Sequence, residues 1–213
     1  SLAPELRGAL LDAALRLAKA VRYENLGTVE FLVQDPDRFA FIETNPRLQV
    51  EHTVSEEVLG LDLVRLQLRL AAGASLLEAG VDPSNPPTPR GHAIQLRINA
   101  ETLGAGGQVR PSSGTITLYE PPAGPGIRMD AAAFTGYTTN PHYDNLLAKL
   151  VVHSSTERFE DALRRAELAL AELRIEGIET NAAFLLGLIR HPDVQANRID
   201  TAFVEAHAEP LVE

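Results

Sequence analysis

The chain has 213 residues, 45% of them apolar and 23% charged, which suits a soluble globular protein and excludes collagen-like, coiled-coil and disordered classes. A net charge of −10 argues against a phosphate-backbone partner, and no run approaches the roughly 18 apolar residues of a membrane span. Cysteine is absent, which removes disulfides, thiolate nucleophiles and cysteine-bound zinc together and suits a reducing, cytoplasmic setting; Ser1 to Glu5 does not read as a signal peptide.

Leu6, Leu10, Ala13, Ala14, Leu17 and Val21 recur at helical spacing, so the first 22 residues predict an amphipathic helix. Pro4 suits its first turn, and Asn25 with Gly27 ends the pattern. Thr28 to Val33 and Phe39 to Glu43 are rich in β-branched and aromatic residues and predict two strands. The turn signal Asp35-Pro36-Asp37 between them makes a hairpin. Leu61 to Leu70 is ambiguous. Val64, Leu66, Leu68 and Leu70 alternate like a strand. Asp62 as a cap, Gly73 beyond the end and strong helix formers between them favour a helix, the reading adopted.

Asp82 to Pro89 holds four prolines in eight residues, which neither a central strand nor a helix interior accepts. Residues 81–90 therefore read as a linker between a domain over 1–80 and another over 91–213. Beyond it, His92 to Asn99 alternates as a strand. Gly104 to Gly107 and Pro121 to Gly126 read as loops. Thr115 to Tyr119, Ile127 to Ala131 and Leu147 to His153 predict strands. Ser155 is expected to cap a helix on which Phe159, Leu163, Ala166, Leu170 and Leu173 share a face, and a last helix covers about Thr180 to Arg190. No Gly-rich loop joins a strand to a helix, which speaks against a dinucleotide or P-loop site. The predicted fold class is α+β.

Phe41-Ile42-Glu43-Thr44-Asn45-Pro46-Arg47-Leu48-Gln49-Val50-Glu51-His52 is the informative stretch. In an extended chain Glu43, Asn45 and Arg47 point to one side. Glu30, on the preceding strand, can lie beside Glu43 across the hairpin. Two adjacent carboxylates repel unless a cation lies between them. Hard oxygen ligands select Mg²⁺ or Mn²⁺, and Mg²⁺ is commonly held by one or two carboxylates plus nucleotide phosphates. Glu30, Glu43 and Asn45 thus read as a metal-nucleotide site. On spacing alone an alternative stands: solvated strand-end carboxylates, with Arg47 paired to Glu51.

Gly27-Thr28-Val29-Glu30-Phe31-Leu32 followed by that stretch resembles the biotin carboxylase branch of the ATP-grasp superfamily. Gly91 to Glu101 resembles the start of the biotin carboxylase C-terminal domain. Pro111 to Ile116, His142 to Lys149 and Gly177 to Asn181 agree with it, in the same order. The Glu43-Thr44-Asn45-Pro46-Arg47 core recurs in carbamoyl-phosphate synthetases; the continuation Leu48-Gln49-Val50-Glu51-His52 selects biotin carboxylase.

The resemblance implies a partial ATP-grasp lobe of antiparallel strands and helices, then a mixed β-sheet and helix domain. It implies Mg-ATP and bicarbonate as reactants and biotin on a carrier protein as acceptor, through carboxyphosphate. Glu30 and Glu43 would hold the metal that bridges the ATP phosphates, with Asn45 beside them. Leu32 would pack on the adenine. Arg47 would bind bicarbonate, helped by Gln49 and Val50, and Glu51 would deprotonate it. Arg97 would stabilise the biotin oxyanion.

Other polar residues read less sharply. His52 either tunes Glu51 or makes a structural hydrogen bond. His92 and His142 have no metal-ligand spacing. Tyr143 and Asp144 either pack inside the second domain or shape its interface. Glu160, Asp161, Arg164 and Arg165 read as a solvated helix face with i,i+4 pairs. The segment from Ala131 to His142 matches the family pattern only loosely.

The family's N-terminal lobe, Gly-rich lid and nucleotide-binding lysines would all lie upstream, and Lys19 is the one lysine before the metal site. The chain is therefore expected to be a C-terminal half, inactive alone. Its implied partners are that lobe, a biotin carrier domain and a carboxyltransferase domain or subunit, with neither nucleic acid nor membrane. The resemblance allows a homodimer, since many relatives dimerise through this region. Two further readings stay open: a non-catalytic module for dimerisation or carrier docking, and another ATP-grasp carboxylate ligase.

Overall fold

The computed structural model describes residues 2–35, 38–103, 108–140 and 142–207. The turn expected at Asp35-Pro36-Asp37 lies partly, and the loop at Gly104 to Gly107 wholly, outside the described residues. Residues 1–88 and 89–213 form two compact units.

The first unit opens with α1 (Pro4–Ala20), which has Pro4 in its first turn. The helix stops short of Val21, since Arg22 and Asn25 adopt positive φ of 50° and 77°. Of the predicted face only Leu6 is buried, and Val21 is exposed. β1 (Thr28–Asp35) and β2 (Arg38–Asn45) form an antiparallel hairpin. Its register sets Glu30 directly opposite Glu43, with an irregularity just after Glu30. α2 (His52–Leu59), unforeseen in the sequence, ends at Gly60 in the left-handed conformation. α3 (Leu63–Ala71) confirms the helical reading of the ambiguous segment: the Asp62 side chain accepts from Arg65 N at 2.8 Å. The two helices are tied by buried Glu56, whose Oε1 accepts from Leu63 N at 2.8 Å. A short α4 (Leu76–Ala79) carries a capping box between Ser75 and Glu78. Residues 81–90 form no helix or strand.

The second unit begins with β3 (His92–Asn99) and continues through β4 (Glu101–Leu103), β5 (Val109–Pro111), β6 (Leu118–Glu120), β7 (Ile127–Ala131) and β8 (Leu146–Ser154). α5 (Phe159–Glu172), β9 (Arg174–Glu176), α6 (Ala182–Arg190), α7 (Pro192–Gln195) and α8 (Phe203–His207) complete it. β8 is the centre of a three-stranded sheet in the order β3-β8-β7; β4 pairs with β5, and β6 with β9. Every ladder among the described residues is antiparallel. Leu147, Ala148, Leu150, Val151 and Val152 of β8 are all at most 2% exposed. Leu150 and Val152 pack with Leu96 and Ile98 of β3 against Leu163, Ala166 and Leu170 of α5 and against α6. Burying each such branched side chain is worth about 1.5–3 kcal/mol. Gly91 immediately precedes β3 at φ 68°, where a Cβ would overlap the Ser154 carbonyl oxygen, so the close start of the β3–β8 ladder depends on glycine.

Three expectations are corrected. The strand expected over Thr115 to Tyr119 is split: Thr115 bridges to Thr138 and Ile116 N donates to Tyr137 O, then Thr117 N turns to Glu176 O and β6 follows β9. Ser155 does not cap α5. The residue before that helix is Arg158, and Ser154 Oγ bonds to Thr156 Oγ1, which donates to Asp161 Oδ2 in the helix's first turn. The charged run on α5 is not wholly solvated, because half-buried Arg165 donates to the His153 carbonyl.

Candidate functional site

The two strands of the hairpin deliver one carboxylate each, Glu30 from β1 and Glu43 from β2. The pairing of Glu30 with Glu43 puts both acids on one face of the hairpin. Asn45 ends the strand, and its Nδ2 donates to Glu30 Oε1 at 2.9 Å and to Glu43 Oε1 at 2.8 Å. Gln49 Nε2 adds a bond to Glu30 Oε1 at 3.0 Å. Two like charges thus converge on amide donors, and the donor set they offer a ligand is all oxygen. That chemistry fits a hard divalent cation. A half-turn of the Asn45 amide would add its own oxygen to the set.

Arg47 departs from the expected row. Pro46 has no N–H, so the ladder stops at Asn45 and the chain turns. The exposed Arg47 guanidinium donates to Leu48 O at 3.2 Å. It lines, with Gln49, Glu51 and His52, a cavity of about 260 Å³ floored by Leu48 and Leu63. Glu51 stands at the start of α2, and the free N–H groups of a helix start favour a carboxylate. Val50 is half-buried beside it. His52 holds the turn: its Nδ1 meets Gln49 O at 2.7 Å, and Nε2 lies 3.8 Å from Glu56 Oε2. Leu32, 51% exposed, sits two residues beyond Glu30 on β1.

Arg97 belongs to the second unit. Buried Leu96 and Ile98 flank it on β3, so the pleat sends Arg97 to the opposite, exposed face. Its cross-strand neighbour is Lys149, which in turn faces Asp130 on β7. Lys149 Nζ lies 3.3 Å from Asp130 Oδ2, and Arg128 Nε 2.8 Å from Oδ1. Burial pushes the Asp130 carboxyl up, but Arg128 and Lys149 together outweigh it and hold it below the ordinary range. Sequence reasoning missed this charged row. Its members come from three separate strands and meet only through strand pairing, so no local pattern records it.

The remaining polar residues are placed as follows. His92 Nε2 meets Glu157 O at 3.1 Å and packs edge-on against Phe159. His142 N donates to Asn140 Oδ1 at 3.0 Å. Tyr143 is 78% exposed, so it does not pack inside the unit; with Asp144 and Asn145 it lines a cavity of about 230 Å³. His191, Asp193 and His207 bring ligand atoms within 4.8 Å of one another, a cluster the spacing did not suggest. Asp193 there accepts from Arg198 Nη2 at 2.6 Å, and His191 Nδ1 accepts from Asp193 N at 3.2 Å. A neutral imidazole accepting at Nδ1 carries its proton on Nε2, so a metal on either nitrogen would break that helix cap. Ring contacts of His191 with Phe203 and His207, each with centroids 4.9 Å apart, bring the start of α7 against α8.

Comparison with known proteins fits this arrangement. Residues 95–206 match the model of the biotin carboxylase C-terminal domain, and residues 1–79 match the ATP-binding domain of the carbamoyl-phosphate synthase L chain. The chain belongs to the biotin carboxylase family. A pyruvate carboxylase of Pichia angusta is 44% identical over 202 residues, which cover 94% of this chain and 17% of that protein. The biotin carboxylase domain of a single-chain bacterial carboxylase superposes with a TM-score of 0.89 at 45% identity, over 100% of this chain and 49% of that one. The biotin carboxylase domain dimer of the Hydrogenobacter thermophilus 2-oxoglutarate carboxylase, solved with MgADP, ADP and bicarbonate, gives 0.90 at 35% identity, over 99% of this chain and 45% of that one. The chain thus spans about a sixth of the curated relative and about half of the solved domains. No helix among the described residues is long and apolar enough to cross a membrane.

Proposed function

We propose that this chain supplies part of the active site of a biotin carboxylase, which uses Mg-ATP and bicarbonate to carboxylate biotin on a carrier protein through carboxyphosphate. The observation that carries the reading is Gln49. It donates to Glu30 at 3.0 Å and also lines the cavity shared by Arg47 and Glu51, which supports reading the carboxylate pair and that cavity as parts of one site. A relative of the same fold was solved with MgADP and bicarbonate, the two ligand classes such a site would take.

Glu30, Glu43 and the Asn45 oxygen would hold Mg²⁺ or Mn²⁺. The bound ion supplies charge neutralisation at the transferring phosphate, the main need of phosphoryl transfer. Leu32 offers an apolar face to the adenine. Arg47, with Gln49 and Val50, orients bicarbonate, since a planar guanidinium matches a planar anion through two parallel hydrogen bonds. Glu51 takes the bicarbonate proton, for which it must come within hydrogen-bond reach. Bicarbonate oxygen then attacks the γ-phosphorus, ADP leaves, and carboxyphosphate breaks down to CO₂ and phosphate. Phosphate removes the ureido proton of biotin, and Arg97 stabilises the oxyanion so formed. A fixed cation or donor in that role is worth about 3–4 kcal/mol when removed.

The partners in this reading are the preceding lobe of the domain, a carrier domain bearing biotin, and a carboxyltransferase domain or subunit that selects the final acyl, pyruvate or urea acceptor. A homodimer and a cytoplasmic setting accompany it, the latter supported by the absence of cysteine.

Phosphate release from Mg-ATP, with bicarbonate and free biotin, tests the proposal. It is run on the 213 residues and on a longer polypeptide that includes the preceding lobe. The longer form is expected to turn over, the 213 residues alone to be silent, and Glu51→Gln in the longer form to lose about 100-fold or more, the scale of a missing general base. Silence of the longer form under all these conditions would replace the enzyme reading with a carrier-docking or dimerisation module.

A further inference from the structure

Among the described residues β3 is an edge strand, paired with β8 alone in the order β3-β8-β7. Its other edge presents the Arg97 carbonyl and the Asn99 amide, and such groups need partners where water is excluded. Asn181 takes both: its Nδ2 donates to Arg97 O at 3.0 Å, and its Oδ1 accepts from Asn99 N at 2.9 Å. The backbone N–H of Asn181 also donates to Asn99 O at 3.2 Å. One side-chain amide therefore stands where the peptide group of a neighbouring strand would stand, spanning residues 97 and 99 as a parallel partner does. Asn181 sits at the N-cap of α6, yet its side chain makes no capping bond. The residue best suited to cap the helix is spent on β3 instead.

A buried acid orients that amide. Glu101 is 8% exposed and Asn181 7%. Glu101 Oε1 accepts from Asn99 Nδ2 at 3.0 Å and from Asn181 Nδ2 at 3.5 Å, while Oε2 accepts from Asn145 Nδ2. Both Glu101 oxygens accept, so the NH₂ ends of all three amides face it. The Asn181 oxygen is then left facing the Asn99 N–H. The network sits where the β3–β8 register slips, between Ile98 and Asn99, so the ladder there is interrupted and the amide carries the strand across the break.

We propose that Asn181, oriented by Glu101, is a positioning residue for Arg97: it fixes the β3 backbone on both sides of Ile98 and with it the direction in which the Arg97 side chain leaves the strand. The inference rests on the reading of Arg97 as the cation that meets the biotin oxyanion. Misplacing a catalytic group by a fraction of its reach costs rate without requiring loss of fold.

The test uses the complete carboxylase polypeptide with two assays, biotin carboxylation and bicarbonate-dependent ATP cleavage without biotin. Asn181→Ala is expected to lower kcat for biotin carboxylation about tenfold or more, while KM for ATP and the biotin-independent cleavage stay within about twofold. Thr180→Ala is the control. Thr180 Oγ1 accepts from Ala182 N at 3.4 Å, so its loss loosens the same helix start without touching β3, and both rates should hold. If Asn181→Ala does not fold, Glu101→Gln carries the test. It keeps an acceptor but turns an NH₂ toward one of the amides, and a selective loss of about threefold in biotin carboxylation is expected. Equal loss in both assays, or loss in neither, would overturn the proposal. If the unmodified polypeptide fails to carboxylate biotin, the reading of Arg97 falls, and positioning is judged on the 213-residue chain by the Arg97 Nε–H resonance. A shift in Asn181→Ala that is absent in Thr180→Ala supports the clamp, and an unmoved resonance overturns it.

Discussion

In residues 1–88 the side chains of interest sit on a two-stranded hairpin and the turn after it, whereas in residues 89–213 Arg97 stands on a strand whose other face is packed by α5 and α6. Among the described residues of the first unit only Leu6, Leu66 and Ala79 are buried apolar side chains. Phe41, Ile42, Leu32 and Val33 of the hairpin stay exposed. A lone hairpin is marginal in water, so the carboxylate site rests on a scaffold that is weak by itself. The second unit invests in packing first and places charge on the far face. Polar chemistry is thus held in the first unit by hydrogen bonds among its own members, Asn45 and Gln49 to Glu30, and in the second by a buried core beneath it.

Hydrogen exchange should show this contrast most strongly. Opening free energies run from near zero in weakly packed segments to the global value in core strands. The amides of Leu150, Val151 and Val152 are expected to be protected about 10³-fold or more beyond those of Phe31 to Val33 in the 213-residue chain. Equal protection would mean that the hairpin shares one cooperative unit with the core, and the comparison would fail.

Truncations sharpen it. Leu150 is 0% exposed against α5, and Leu150→Ala should destabilise the second unit by about 2–5 kcal/mol through lost transfer energy and a residual cavity. Leu32→Ala removes the same atoms from an exposed site and should change stability by less than about 0.5 kcal/mol. Denaturant midpoints for the two variants measure the difference. If Leu32 matters as much as Leu150, the hairpin is better supported than its exposure implies.

The fold was most legible where side-chain period and burial agree. Leu163, Ala166 and Leu170 share one face of α5, and His92 to Asn99 alternates because one face meets the core. α2 escaped notice because Thr53, Val54 and Val58 are β-branched and Glu51 offers no capping bond, so neither propensity nor cap announces a helix. The strand through Ile116 was misjudged because it changes partners at Thr117, a tertiary event that no local pattern records. In the site, the opposition of Glu30 and Glu43 followed from hairpin geometry. The departure of Arg47 turned on Pro46, and the Asn181 clamp spans more than 80 residues, out of reach of any window.

The carboxylate pair separates stability from function. Opposed like charges on a sheet destabilise by about 0.2–1 kcal/mol, so Glu43→Gln should leave the fold as stable or slightly more so. The amide oxygen so introduced would still accept from Asn45, yet the site loses half its anionic charge. Mn²⁺ affinity, followed by electron paramagnetic resonance, should fall about tenfold or more. Lost stability with unchanged Mn²⁺ binding would make the pair a structural feature and remove the chemical half of the contrast.

Asp130 gives the smallest effect, and its sign is fixed by its partners. Burial opposes its ionisation, but Arg128 and Lys149 overcome that and lower its pKa below the ordinary value of about 3.9. A carboxyl lowered in the folded state stabilises the fold above its unfolded pKa, and the contribution fades as pH falls through the folded value. At pH 7 Asp130→Asn should therefore be less stable by under about 1 kcal/mol, because the pair is partly screened by solvent. As pH falls below the ordinary carboxyl range the variant and parent should converge, as the parent carboxyl takes up its proton and both side chains become neutral. Urea midpoints across that range read the convergence directly. A gap that persists in acid would show that Asp130 acts through packing or neutral hydrogen bonds, and the charged row beside Arg97 would then be held by the sheet alone.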